Sequence, residues 1–273
     1  MKRAFVIGHP ITHSRSPLIH GYWLRTYGIE GSYEAIDVEP HVLAKFFERL
    51  KRGEFVGGNV TIPDKEVAYA LCDERDPLAE SIGAVNTLVV TGDQVRGLNT
   101  DYLGFLGNLD QQAPNWDHDL QSAIVLGAGG AARAVLVALK ARGVKSIRLL
   151  NRTASKAEEL AIDLEGPIRA GSLGEFDSHC GDAGLVVNTS SVGMNGTKFE
   201  GLDLGRLPRT ALVTDIVYTP LVTPLLAEAR ALGLRTVDGL GMLLHQAVPG
   251  FEAWFGKRPE VTPQLRALVE ATL

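Results

Sequence analysis

The sequence predicts an α/β chain built largely from parallel strands, and three observations carry that prediction. Short apolar runs alternate with helical patterns from the N-terminus onward. One run, Ser122–Leu126, breaks off at glycine and leads into a helical stretch beginning at Gly130: strand, glycine turn and helix in succession. Further short strand patterns at 146–150, 184–187, 211–216 and 235–237 are interleaved with helix-forming sequence, including a helix over 223–232. Such alternation builds a parallel sheet wound on both faces.

The N-terminal half supplies its own elements. A strand over 4–8 is followed by a helix from Pro17, with Ser16 as its N-cap and proline in the first turn. A strand over 32–38, a helix from Pro40 and a strand over 55–60 come next. Strand alternation places Asn59 and Thr61 on one face, with Val60 and Ile62 on the other. Pro63 is expected to open a helix carrying Lys65 in its first turn. Residues 84–98 read as a hairpin turning at Gly92-Asp93. The polar stretch 110–121 lacks periodicity, which sets a domain boundary within 101–121. The tail, 239–273, reads as two helices separated near Gly256 and Pro259, without a strand. Such a tail can pack back on the first domain and make it discontinuous.

Composition narrows the function class. The chain has 273 residues, 45% hydrophobic and 22% charged, as expected of a soluble globular protein with one large domain or two ordinary ones. A net charge of −5 leaves no basic surplus for a nucleic-acid partner. An anionic substrate must then be captured by local donors. Cys72 and Cys180 lack metal or redox spacing, which fits a reducing compartment. The apolar run at the N-terminus is too short for a signal peptide, and the longest apolar region, 123–139, carries Arg133. No membrane partner and a cytoplasmic location are expected. His9, His13, His20 and His41 match no metal motif, so no metal site is expected.

The glycine turn points to a cofactor. Gly127 permits the tight turn, and Gly129 lets backbone N–H groups approach a pyrophosphate at the positive end of the helix. Ala132 takes the third fingerprint position. The second strand ends in Asn151-Arg152 rather than in the Asp or Glu that would bind a ribose 2′-OH. A guanidinium there suits a 2′-phosphate, hence NADP(H). A glycine-rich turn holding no nucleotide is the plainer alternative. Three polar clusters lie in the first domain. Lys65 is either an acid–base group or a solvated surface lysine between Asp64 and Glu66. Asn86 and Asp101 flank the hairpin, where turn and capping roles are the simpler reading. Ser14 and Ser16 can jointly donate to a carboxylate or serve the helix start.

Taken together, these segments resemble the shikimate dehydrogenase family. The matching pieces run in family order: Ser14-Arg-Ser16, Asn59-Val-Thr61-Ile-Pro-Asp-Lys65, Gly83-Ala-Val-Asn86-Thr, Asn99-Thr-Asp101, Gly127-Ala-Gly-Gly-Ala-Ala-Arg133 and Asn151-Arg-Thr153. Ser191-Val-Gly193-Met194, Asp215-Ile-Val-Tyr218 and Asp238-Gly239-Leu-Gly-Met242 through Gln246 complete the set. The resemblance implies NADPH-dependent reduction of 3-dehydroshikimate to shikimate, on the route to chorismate and aromatic amino acids. It implies an N-terminal α/β substrate domain completed by C-terminal helices (1–101 plus 239–273) and a doubly wound Rossmann-type NADP domain (102–238).

Residue by residue, the resemblance implies Lys65 and Asp101 as the catalytic pair. Ser14, Ser16 and Tyr218 would hold the substrate carboxylate, and Asn59, Thr61, Asn86, Asp101 and Gln246 its hydroxyls. Gly127, Ala128, Gly129, Gly130 and Ala131 would carry the cofactor's pyrophosphate. Asn151, Arg152, Thr153 and Lys156 would surround its adenosine phosphate, and Ile216, Gly239 and Met242 its nicotinamide side. A monomer or a homodimer is expected. Asp64, Pro77, Lys156 and Ser190 depart from common family patterns. The rival readings are a paralogue that oxidises quinate with NAD, and a non-catalytic nucleotide-binding regulatory module.

Overall fold

The structure, a computed structural model, describes residues 1–61 and 63–273. Ile62, expected opposite Asn59 and Thr61, lies outside the described residues. The chain folds as two units: Met1–Asp101 with Leu244–Thr272, and Tyr102–Leu243 with Leu273.

In chain order the first unit contains β1 (Lys2–Gly8), α1 (Ser16–Thr26), β2 (Gly31–Asp37), α2 (Leu43–Lys51), β3 (Gly57–Val60) and α3 (Lys65–Leu71). Then come β4 (Glu74–Arg75), α4 (Pro77–Ile82), β5 (Thr87–Thr91) and β6 (Gln94–Leu98). The strands form one sheet ordered β2-β1-β3-β5-β6-β4. β1 pairs in parallel with β2 and β3, and β5 runs antiparallel to both β3 and β6. Phe5, Ile7, Leu43, Phe46, Leu50 and Leu88 form the core on one face, which α2 covers.

Helix α5 (Asp101–Gln112) leads into the second unit, whose elements are β7 (Ser122–Leu126), α6 (Gly130–Ala141), β8 (Ser146–Asn151), α7 (Ala154–Leu164), β9 (Ile168–Ser172) and α8 (Phe176–His179). β10 (Leu185–Asn188), β11 (Val192–Asn195), β12 (Leu212–Asp215), α9 (Pro224–Ala231) and β13 (Arg235–Val237) complete it. Its all-parallel sheet is ordered β13-β12-β10-β7-β8-β9, the doubly wound order with β7 at its centre. Alternation along β7 feeds two cores. Ala123 and Val125 join one cluster with Val135 and Leu139 of α6, while Ile124 and Leu126 join another with Leu225 and Leu226 of α9.

The chain crosses back into the first unit within α10 (Leu240–Phe255), followed by α11 (Pro263–Glu270). Trp254 of α10 donates its indole N–H to the Leu88 carbonyl at 2.8 Å, and only a glycine at position 57 leaves room for its ring. The strandless tail thus completes the first unit's core. No helix among the described residues is long and apolar enough to cross a membrane.

Three local expectations are corrected. Arg15, not Ser16, is the N-cap of α1; Ser16 is the first helical residue and donates its N–H to Ser14 Oγ at 3.3 Å. Proline is tolerated in the first turn, so Pro17 at the second position does not fix the cap at Ser16. The helix expected from Pro40 begins as a single 3₁₀ turn, Pro40–Val42, before α2. Pro63 does not open a helix: α3 starts at Lys65 with Asp64 as N-cap. The short elements β4 and α4 are not among the expected elements, although Asp76, Pro77 and Gly83 mark the ends of α4. Pro77, a departure from the family pattern, sits in the first turn of α4, where proline is favoured, beneath the Asp76 cap.

Candidate active site and nucleotide-binding turn

In the first unit, the ends of β3, β5 and β6 gather a buried polar network. Asp101 and Lys65 each stand first in a helix, and Lys65 Nζ donates to Asp101 Oδ2 at 2.6 Å. A carboxylate at a helix N-terminus is favourable, whereas a cation there opposes the macrodipole and needs a counter-charge. Asp101 supplies it. The side chains are 23% and 11% exposed, which keeps water from screening the pair fully while leaving Lys65 accessible. The second carboxylate oxygen of Asp101 accepts from Asn86 Nδ2 at 2.8 Å, and its backbone N–H donates to Asn99 Oδ1. The carboxylate is committed to these side chains, so the simple capping reading of Asp101 does not describe it.

Asn86 is 2% exposed and is itself held. Its Oδ1 accepts from the Thr100 N–H at 2.8 Å and from Thr87 Oγ1 at 3.0 Å. Asn59 lies opposite Thr87 in the β3–β5 register and donates to Thr87 Oγ1 and the Asn86 carbonyl, each at 3.1 Å. Gln246, on α10, reaches the network through Thr100 Oγ1 at 3.5 Å. Thr61 is half-buried just beyond β3, its N–H bonded to the Ile7 carbonyl. Ser14 is half-buried and Ser16 buried at the start of α1. Tyr218 belongs to the second unit, half-buried ahead of a cis Thr219–Pro220 bond.

In the second unit, Gly127 has φ +103°, and a Cβ there would lie 2.9 Å from Ser190 Cβ. The turn therefore requires glycine. Gly129 and Gly130 differ: no neighbouring atom lies within 4 Å of a Cβ at either position. Gly129 is the N-cap of α6 and offers no side-chain cap. The positive end of a twelve-residue helix thus opens beside bare backbone, a cradle suited to a pyrophosphate. Ala128 and Ala131 are half-buried beside it.

Asn151 ends β8 and turns its amide onto the Thr153 carbonyl at 2.9 Å, leaving Arg152, Thr153 and Lys156 exposed. Gly239 lets two backbones meet, since a Cβ there would stand 2.4 Å from the Ile216 carbonyl oxygen. Met242 is buried in the core cluster against which Ile216 packs. The residues present fit the dinucleotide that the glycine turn implies.

Sequence reasoning missed several supporting residues. Asp215 is 1% exposed and accepts from Asn188 Nδ2, the Val217 N–H and Thr223 Oγ1 at 2.7–2.9 Å. Burial pushes its carboxyl above the usual range, with those donors opposing. This network fixes the segment that carries Ile216 and Tyr218. Thr87 and Thr100 were assigned no role of their own, because a buried threonine in or beside a strand reads as ordinary β composition.

Known proteins align with both units. Residues 6–88 match the model for the shikimate dehydrogenase substrate binding domain, 110–242 that for shikimate / quinate 5-dehydrogenase, and 239–268 that for the shikimate 5′-dehydrogenase C-terminal domain. The shikimate dehydrogenase (NADP(+)) of Mesorhizobium japonicum is 57% identical over 272 residues, covering 100% of this chain and 97% of that protein. The shikimate 5-dehydrogenase of Thermus thermophilus, solved with NADP(H) and shikimate, superposes with a TM-score of 0.87 at 36% identity, all of both chains being covered. The quinate dehydrogenase of Corynebacterium glutamicum, solved with NAD, superposes with a TM-score of 0.90 at 30% identity, covering 100% of this chain and 99% of that one. From the family models across both units and the full-length identity, the chain belongs to the shikimate dehydrogenase family.

Proposed function

We propose that this protein catalyses the reversible NADPH-dependent reduction of 3-dehydroshikimate to shikimate in aromatic amino acid biosynthesis. The observation that carries the reading is the Lys65–Asp101 pair at 2.6 Å, set in a network of buried amides and hydroxyls. The nicotinamide, when bound, supplies the hydride. Negative charge then grows on the ketone oxygen, and the Lys65 ammonium can both stabilise it and deliver the proton. Asp101 orients the ammonium and accepts from a substrate hydroxyl. Asn59, Thr61, Asn86 and Gln246 hold the other hydroxyls, and Ser14, Ser16 and Tyr218 the carboxylate.

In this reading residues 1–101 and 239–273 form the substrate domain and 102–238 the NADP domain. The α6 N-terminus, over Gly127 to Ala131, binds the pyrophosphate. Arg152 and Lys156 bind the 2′-phosphate, with Asn151 and Thr153 beside them. Ile216, Gly239 and Met242 border the nicotinamide. The protein acts in the cytoplasm as a monomer or homodimer, without nucleic-acid or membrane partners. Fold alone does not separate this reading from quinate oxidation with NAD, since a quinate dehydrogenase superposes equally well. Arg152, in place of an acidic residue at the end of β8, favours NADP. The test is Lys65→Ala: turnover falls by about 10²- to 10⁴-fold while cofactor affinity stays within a few-fold. Near-normal turnover would sink the role given to Lys65.

A further inference from the structure

Asparagine forms helices poorly, so a buried asparagine inside α5 calls for a reason. Asn108 is 3% exposed, and its Nδ2 donates to the Asp238 carbonyl at 2.7 Å, in the turn that leads into α10. Its Oδ1 is buried without a hydrogen-bond partner among the described residues and lies against Gly241, the second residue of α10. A Cβ at position 241 would overlap that oxygen and stand 2.6 Å from Asn108 Cγ, so only glycine lets the two helices approach this closely. An unpaired buried oxygen is costly, and an apolar side chain would fill the space without that cost. What asparagine adds is the bond to Asp238.

The contact joins two helices that carry groups of the candidate site. Asp101 heads α5, seven residues before Asn108, which places both on one side of that helix, two turns apart. Gln246 follows Gly241 by five residues on α10 and meets Thr100, the residue before Asp101, at 3.5 Å. The chain also passes between its two units in these helices, at Asp101–Tyr102 and at Leu243–Leu244. The head of α10 is held firmly. Asp238 Oδ1 accepts the Leu240 N–H at 3.1 Å, and Gly239 is wedged against the Ile216 and Val217 carbonyls.

We infer that Asn108 is a positioning residue for the reaction: by bonding Asp238 and packing on Gly241 it clamps α5 to the head of α10, and so sets the spacing of Asp101 and Gln246. The inference rests on the reading of those two residues as substrate-binding groups beside Lys65. Asn108 acts through them.

Asn108→Ala removes the clamp and leaves every group of the candidate site in the chain. Its kcat/KM for shikimate is expected to fall about 10- to 100-fold, as for a displacement of about 1 Å at a reacting group. The NADP⁺ dissociation constant, from titration without shikimate, should stay within about twofold of wild type. A residue that merely supports the fold would lower the melting temperature and leave kcat/KM of the folded enzyme unchanged. Gly241→Ala pushes on the same contact from the other helix and should bring a similar loss. Because both substitutions act on one contact, the double variant should be no slower than the slower single one. Wild-type kcat/KM in Asn108→Ala would overturn the inference, as would an equal loss of NADP⁺ affinity or losses that multiply in the double variant. If Gly241→Ala does not fold, Asn108→Ala decides alone. Asp101→Asn, measured in parallel, separates the two claims: a fast Asp101→Asn sinks the reading of the site, whereas a slow Asp101→Asn beside an unimpaired Asn108→Ala sinks only the clamp.

Discussion

Lys65 and Asp101 each occupy the first position of a different helix, and their side chains meet at 2.6 Å across 36 residues of sequence. A charge placed against one helix dipole is compensated by a charge that suits the other. Asp101→Asn keeps the shape and removes the charge. Turnover should fall about 10²-fold, as for loss of a preorganised electrostatic contact. The stability cost should stay under about 2 kcal/mol, because Lys65 keeps partial access to water. Steady-state kinetics and thermal melting check both values, and an unchanged kcat would count against the pairing.

Arg152 is exposed at the end of β8, free of any acidic neighbour in the sequence before Glu158. Arg152→Ala should raise the NADP⁺ KM about 10- to 100-fold, the equivalent of one or two hydrogen bonds to a charged group. The NAD⁺ KM should scarcely move. Equal losses for the two cofactors would remove Arg152 from the 2′-phosphate site.

Two glycines of one turn should answer differently to alanine. Gly127→Ala forces a side chain into φ +103° and onto Ser190, so about 1–3 kcal/mol of stability should be lost. Gly129→Ala meets open space and should cost at most about 1 kcal/mol. Its effect should appear in NADP⁺ binding, measured by titration. Normal cofactor affinity in Gly129→Ala would mean that no phosphate approaches that backbone.

His20 gives the fold an acid limit. Burial holds its ring down to about 3 from an ordinary 6.5. Between those values the unfolded chain binds a proton that the folded protein does not. The contribution is therefore fully present above pH 6.5 and is lost progressively as pH falls toward 3. His20→Phe retains an aromatic ring against Tyr33 and should lose less stability over that interval. Parallel stability curves for the two proteins, from urea melts at several pH values, would contradict this.

Much of the fold was legible because its signals are local. The glycine turn after Leu126 and the hairpin at Gly92-Asp93 each follow from backbone freedom at named residues. The placement of the tail was not legible from periodicity, because a helix pattern does not say which sheet it covers; Trp254 bonding to Leu88 is a contact across 166 residues. Helix starts at Ser16 and Lys65 were missed by one or two residues, since proline marks a first turn without fixing its cap. In the candidate site, Lys65 stood out in a first helical turn and Asn86 and Asp101 at the ends of the hairpin, and the family resemblance gave them their roles. The contacts of Thr87 and Thr100 were not legible, because threonine in or beside a strand is ordinary composition.

The central claim is the pairing of shikimate with NADP⁺, and reduced-nicotinamide absorbance tests it directly with shikimate or quinate against NADP⁺ or NAD⁺. Rapid turnover of shikimate with NADP⁺ is expected, with the other three combinations slower by about 100-fold or more. Turnover of quinate or use of NAD⁺ at a comparable rate, or silence in all four, would contradict it.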